Sequence, residues 1–151
     1  MEANRPKAAA RMAGRLVVLL VGLVWAAAAI GKVVTPADDQ AWISEFPQWV
    51  VTGVTLSEAV AAGLIFAGRA RIGLALGMVL VLSFLGALLI SPPDAGQSCG
   101  CAGAAVVSTS PADLAAHLFA FAGLHLLAVV SLPHGLPEPE RSRAYFAPAA
   151  D

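Results

Sequence analysis

Ile72–Ile90 reads IGLALGMVLVLSFLGALLI and carries no charged residue. A helix needs about 20 mostly apolar residues to cross roughly 30 Å of hydrocarbon, so this stretch alone argues for a membrane. Leu16–Val34 (LVVLLVGLVWAAAAIGKVV), Trp49–Ala67 and Ala112–Leu132 have the same character. None shows the period-two alternation of a barrel strand. In lipid the backbone must satisfy its own hydrogen bonds within each segment, which leaves helices. The expected fold is all-α, an integral membrane four-helix bundle. Composition agrees: of 151 residues 58% are hydrophobic and 13% charged, against about 25% charged in a soluble domain. A net charge of −1 and the lack of a basic stripe interleaved with aromatics exclude nucleic acid as a partner; the expected surroundings are membrane lipid.

Basic residues orient the spans. Arg5, Lys7, Arg11 and Arg15 precede the first, Arg69 and Arg71 join the second to the third, and Arg141 and Arg143 follow the fourth, leaving only Lys32 of the nine elsewhere. An even number of spans puts the three groups on one side, and the positive-inside rule makes that side the cytoplasm. Both termini are then cytoplasmic. The expected layout is a basic tail over 1–15, mobile where uncleaved, a transmembrane domain over 16–132 and a disordered tail over 133–151. Loops 35–48 and 91–110 are extracytoplasmic, and the chain is multi-pass in the plasma (inner) membrane. Met1–Arg15, the apolar run and Ala26–Ala29 also resemble a cleavable signal peptide, but the run continues through Ile30 and Val33-Val34, longer than most such regions. Cleavage would leave three spans in the same orientation.

The outer loops differ. In the first, Trp42, Phe46 and Trp49 fall at helical spacing, which suits a short amphipathic helix with indoles at headgroup depth. The second is rich in Ser, Pro, Gly and Ala. Pro92-Pro93 ends the third helix, and Ser110-Pro111-Ala112-Asp113 reads as a helix start.

That second loop holds the only two cysteines, Cys99 and Cys101, separated by Gly100. Thiols outside the cytoplasm meet an oxidising compartment, and Gly100 permits backbone angles other residues resist. A bridge this tight is expected to be strained, and strained disulfides exchange readily with other thiols. Two other readings stay open. A structural staple closing so small a loop removes little unfolded-chain entropy. A metal site would hold a soft ion on two thiolates, but a closed zinc site wants four ligands, and the only histidines are His117, His125 and His134.

Polar residues within the spans are the second clue. Glu58 lies well inside the second, where a carboxyl group faces the bundle interior or a partner. Lys32, near the outer end of the first, is placed to pair with it or to snorkel to the interface. Asp113, His117, Leu124 and His125 are expected on one face of the fourth helix by i, i+4, i+7, i+8 spacing. His117, nearer the outer surface, would then take a thiol proton or stabilise a thiolate, or simply bond within the bundle. One helix cannot supply both axial ligands of a haem from these positions, and no metal or haem is expected.

The order Gly31-Lys32, then Glu58, then Cys99-Gly100-Cys101-Ala102-Gly103 resembles the methylamine utilisation MauE family, within the wider group of DoxX-like redox-associated membrane proteins. The resemblance runs over about Leu16–Val130. The family often has an aromatic residue where Ala102 stands, and a polar Arg-Asn element where Asp113 and His117 stand. The resemblance implies a bundle similar to vitamin K epoxide reductase-like proteins and a role in disulfide formation or maturation of a periplasmic partner. Electrons would pass from an extracytoplasmic thiol protein or thioredoxin-like carrier through Cys99 and Cys101 towards a membrane quinone. Lys32, Glu58 and His117 would assist. The competing class is a non-enzymatic scaffold or assembly subunit in which the cysteines are a local clasp.

Overall fold

A computed structural model describes residues 5–34, 45–92 and 111–132. They form four helices: α1 (Arg5–Val34), α2 (Gln48–Phe66), α3 (Ala70–Ile90) and α4 (Pro111–Ser131). No strand occurs among the described residues. Met12–Val34 of α1, all of α2 and α3, and Ala112–Ser131 of α4 are each long and apolar enough to cross a membrane. The boundaries agree with the sequence to within a residue or two except at one point. α1 begins at Arg5, so residues 5–15, expected as a mobile tail, are helical. Most of that stretch is Ala, Arg, Lys and Met, strong helix formers; Pro6 falls in the first turn, where its missing N–H has no helical partner to lose, and Gly14 is the one weak helix former carried inside the helix.

The interior is marked by spacing. Among its buried and half-buried residues a seam runs through Val18, Val21, Trp25, Ala28 and Lys32 on α1; Val54, Glu58, Ala61 and Ile65 on α2; Leu74, Gly77, Val81, Phe84 and Leu88 on α3; and Leu114, Leu118, Phe121, His125 and Ala128 on α4, with Gly22, Ala29, Ala62, Gly73 and Leu80 buried beside it. Every series advances by alternating steps of three and four. That is the heptad seam of left-handed helix bundles, in water or in lipid. α1 packs on α2 and α4, and α3 packs on α2 and α4, so the helices close a ring. Neighbours run antiparallel. A Cβ at Gly22 would lie 3.0 Å from Ile65 near the end of α2, whereas Leu88 at the end of α3 clusters with Leu114 at the start of α4. Outward faces are as apolar as the core: Leu23, Ile30, Leu56, Val79, Leu82 and Leu126 are all exposed. A water-soluble bundle would not tolerate so continuous a patch; lipid solvates it.

The α2–α3 connection shows the local chemistry. Gly68 has φ 80, a left-handed conformation that suits glycine. Its N–H bonds Ile65 O at 3.1 Å, and the Arg69 N–H bonds Leu64 O at 2.8 Å, the paired bonds of a Schellman end. The Arg69 carbonyl then accepts from Ile72 and Gly73, both at 3.1 Å, and starts α3. α2 and α3 lie close enough below this turn that a Cβ at Gly73 would sit 2.7 Å from the Ala61 carbonyl oxygen.

A buried ion pair and the candidate functional site

α1 ends with Lys32 on its inward face, and α2 presents Glu58 from its middle. The Lys32 Nζ donates to both carboxylate oxygens, at 2.7 Å to Oε1 and 2.8 Å to Oε2. The two side chains are 1% and 0% exposed. A charge within the bilayer is costly, and two opposite charges in hydrogen-bond contact are the cheapest way to carry them. The pair foreseen as one option for Lys32 is thus formed, and the snorkelling alternative is not. The ammonium also lies 6.0 Å from the Phe84 ring centroid on α3, at the outer limit of a cation–π contact.

Phe84 links the pair to its surroundings. With Phe46 and Leu85 it packs on Leu88, Leu114 and Leu118, where α3 ends and α4 begins. It also walls a half-open groove of about 140 Å³ between α2 and α3, with Phe46, Val54 and Ser83 among the lining. The lining is nearly all hydrocarbon, and the Ser83 hydroxyl donates to its own helix at Val79 O, 2.8 Å. The groove therefore fits an apolar ring or chain. With the Ser83 proton given to Val79 O, its lining side chains offer a quinone carbonyl no ready donor.

The histidines divide differently from the expected shared face. His125 is fully buried. His117 is exposed, its Nδ1 2.7 Å from Asp113 O on its own helix, and Asp113 is exposed as well. Eight residues of α-helix overshoot two full turns by about 80°, so His117 and His125 cannot both sit on the seam. Leu114, Leu118 and Phe121 hold it at the other levels. The structure brings Lys32 and Glu58 together and leaves His117 outside their contact.

Cys99 and Cys101 lie outside the described residues, as do Trp42 and most of the two long loops. In sequence they stand between Ile90, which ends α3, and Pro111, which starts α4. The α1 and α3 C-termini and the α2 and α4 N-termini share one end of the bundle, and Lys32 belongs to that end.

Sequence reading overlooked a second polar contact. Trp25 Nε1 donates to His125 Nε2 at 2.9 Å, with Gly77 of α3 against both rings. The heptad positions of α1, which include both Trp25 and Lys32, were the signal that would have found it.

No curated protein and no solved structure matches the chain. The family model described as methylamine utilisation protein MauE matches residues 10–133, which takes in all four membrane spans. With its four apolar helices and buried ion pair, the chain belongs to the MauE family, which is linked to methylamine utilisation.

Proposed function

We propose that this protein is a membrane thiol–disulfide exchange protein that uses Cys99 and Cys101 to oxidise or mature an extracytoplasmic partner. The observation that carries the reading is the placement of the Lys32–Glu58 pair. A buried ion pair is built into the bundle end whose helix termini flank the Cys-Gly-Cys segment in sequence. The other end carries Arg15, Arg69 and Arg71, which supports assigning it to the cytoplasm and the cysteine end to the outside.

The exchange begins when a thiolate of a reduced client attacks one sulfur of the Cys99–Cys101 disulfide. That S–S bond breaks and a mixed disulfide forms. A second client thiolate attacks the client's sulfur of the mixed bond, leaving an oxidised client and a dithiol on this chain. Reoxidation removes two electrons and two protons, for which a bilayer quinone is the proposed sink. Lys32 contributes less to thiolate stabilisation than a lone ammonium would. With Glu58 at 2.7 Å the pair acts at a distance as a dipole, whose field falls faster than that of a charge. His117, exposed near the start of α4, is better placed than the buried His125 to exchange a proton with solvent.

Serine replacement tests this. Cys99→Ser and Cys101→Ser are each expected to accumulate normally, to lose client oxidation, and in one of the two to trap a mixed disulfide visible on non-reducing gels. Abundance and activity falling in proportion would overturn the redox role and favour a scaffold with a structural clasp. Copurifying copper or zinc at about one per chain, lost in both variants, would turn the site into a metal carrier.

A further inference from the structure

We infer that Trp25, His125 and Gly77 form a three-helix tie that positions the Lys32–Glu58 pair. A histidine inside a membrane span is by default a functional group, yet the geometry here assigns it a different task. The indole N–H of Trp25 can only donate, so His125 Nε2 accepts it, at 2.9 Å. His125 Nδ1 faces the Phe121 carbonyl at 3.0 Å, which can only accept, so Nδ1 carries the proton. Both nitrogens are engaged in one neutral tautomer, leaving neither to shuttle a proton. Phe121 closes the node with ring centroids 5.1 Å from Trp25 and 4.5 Å from His125.

Gly77 makes the node possible. A Cβ there would lie 2.6 Å from His125 Nε2 and 2.6 Å from Trp25 Nε1, on the two atoms of the hydrogen bond itself. Gly86 on the same helix meets nothing within 4 Å, so a methyl group is excluded at one position of α3 and free at the other.

The tie acts on the ion pair through α1. Trp25 and Lys32 are seven residues apart on the seam, about 10 Å along one rigid helix. Apolar contacts alone set register weakly in lipid, because the outer face of a helix is solvated as well as the inner one. The polar contacts are directional. Trp25 fixes α1 against α4 and α3, and that rotation aims Lys32 at Glu58 on α2. Trp25 and His125 are therefore positioning residues, and Gly77 is the space they need.

Solid-state NMR on the full chain in bilayers tests this, with ¹⁵N-labelled His and Trp and a ¹³C-labelled glutamate carboxyl, Glu58 being assigned by its loss in Glu58→Gln. The wild type is expected to show His125 protonated at Nδ1 with Nε2 in a hydrogen bond. Trp25→Phe and Gly77→Ala should each abolish the hydrogen-bond shift at Nε2 and move the Glu58 carboxyl signal. Gly86→Ala should move neither. A proton on Nε2 in the wild type would overturn the tie. A Glu58 signal unmoved by Trp25→Phe would overturn its positioning role, and that variant keeps the test decisive if Gly77→Ala does not fold. The inference rests on the proposed function only in taking the ion pair as part of the working site. None of these spectra involves Cys99 or Cys101, so failure of the tie and failure of the redox reading are separable.

Discussion

At the scale of single residues, the Lys32–Glu58 contact sets the energetics. Removing one partner of a buried pair leaves the other charge without compensation, at a cost of about 3–5 kcal/mol, whereas replacing both with apolar groups is often neutral or stabilising. Lys32→Met and Glu58→Leu are each expected to destabilise the bundle by roughly that amount. The double variant should recover most of the loss, as read from SDS-induced unfolding in mixed micelles. If the pair also serves the thiol chemistry, the double variant will be stable and still slow in client oxidation. A double variant as active as the wild type would reduce the pair to an assembly device. His117→Ala provides the contrast: its ring is exposed and bonded within its own turn, so stability should change by less than about 0.5 kcal/mol. Any loss of exchange rate would then report on chemistry alone.

At the scale of elements, the α2–α3 hairpin depends on two glycines for different reasons. At Gly68, with φ 80, an L-residue meets a penalty of about 1–2 kcal/mol. At Gly73 the obstacle is a neighbour, since a methyl group would press on the Ala61 carbonyl at 2.7 Å and force the helices apart, a strain of about 1–3 kcal/mol. Gly63 on α2 has open space, so Gly63→Ala should be neutral or slightly stabilising through helix propensity. Denaturation midpoints should therefore place Gly68→Ala and Gly73→Ala below the wild type and Gly63→Ala level with it. Equal midpoints for Gly73→Ala and Gly63→Ala would contradict the close approach of α2 and α3. These elements also show how far the chain could be read in advance. Four helices were legible because length and apolarity alone define a span, and Lys32 and Glu58 stood out because charges are rare there. Which face of each helix turns inward was harder, because lipid makes both faces apolar and no amphipathic contrast remains. The Asp113–His117–Leu124–His125 grouping failed for that reason: it joined residues by permissible spacing where the continuous three–four seam through His125 decides. Trp25 and Gly77 escaped notice because one looks like any buried aromatic and the other like any small residue, until His125 is placed against both.

At the scale of the whole molecule, the proposed exchange depends on which end faces which compartment. Arg15 near the start of the first span and Arg69 and Arg71 around the α2–α3 turn sit at one end. Lys32 at the other end is internally neutralised by Glu58. Neutralisation sharpens the asymmetry, since an ammonium already held by a carboxylate adds little to the positive charge that retains a loop in the cytoplasm. The orientation prediction is therefore stronger than a count of basic residues suggests. In a chain with both native cysteines replaced by serine, a thiol introduced by Arg69→Cys should react with an impermeant maleimide only after the cells are opened. In the otherwise native chain, Cys99 and Cys101 should react in intact cells, and only after an impermeant reductant has been added. Labelling of the native pair from the cytosol alone would invert the topology and remove the oxidising compartment on which the exchange depends. Labelling from outside without reductant would keep the topology but show the pair resting as a dithiol, so that this chain would hand electrons to its partner instead of accepting them.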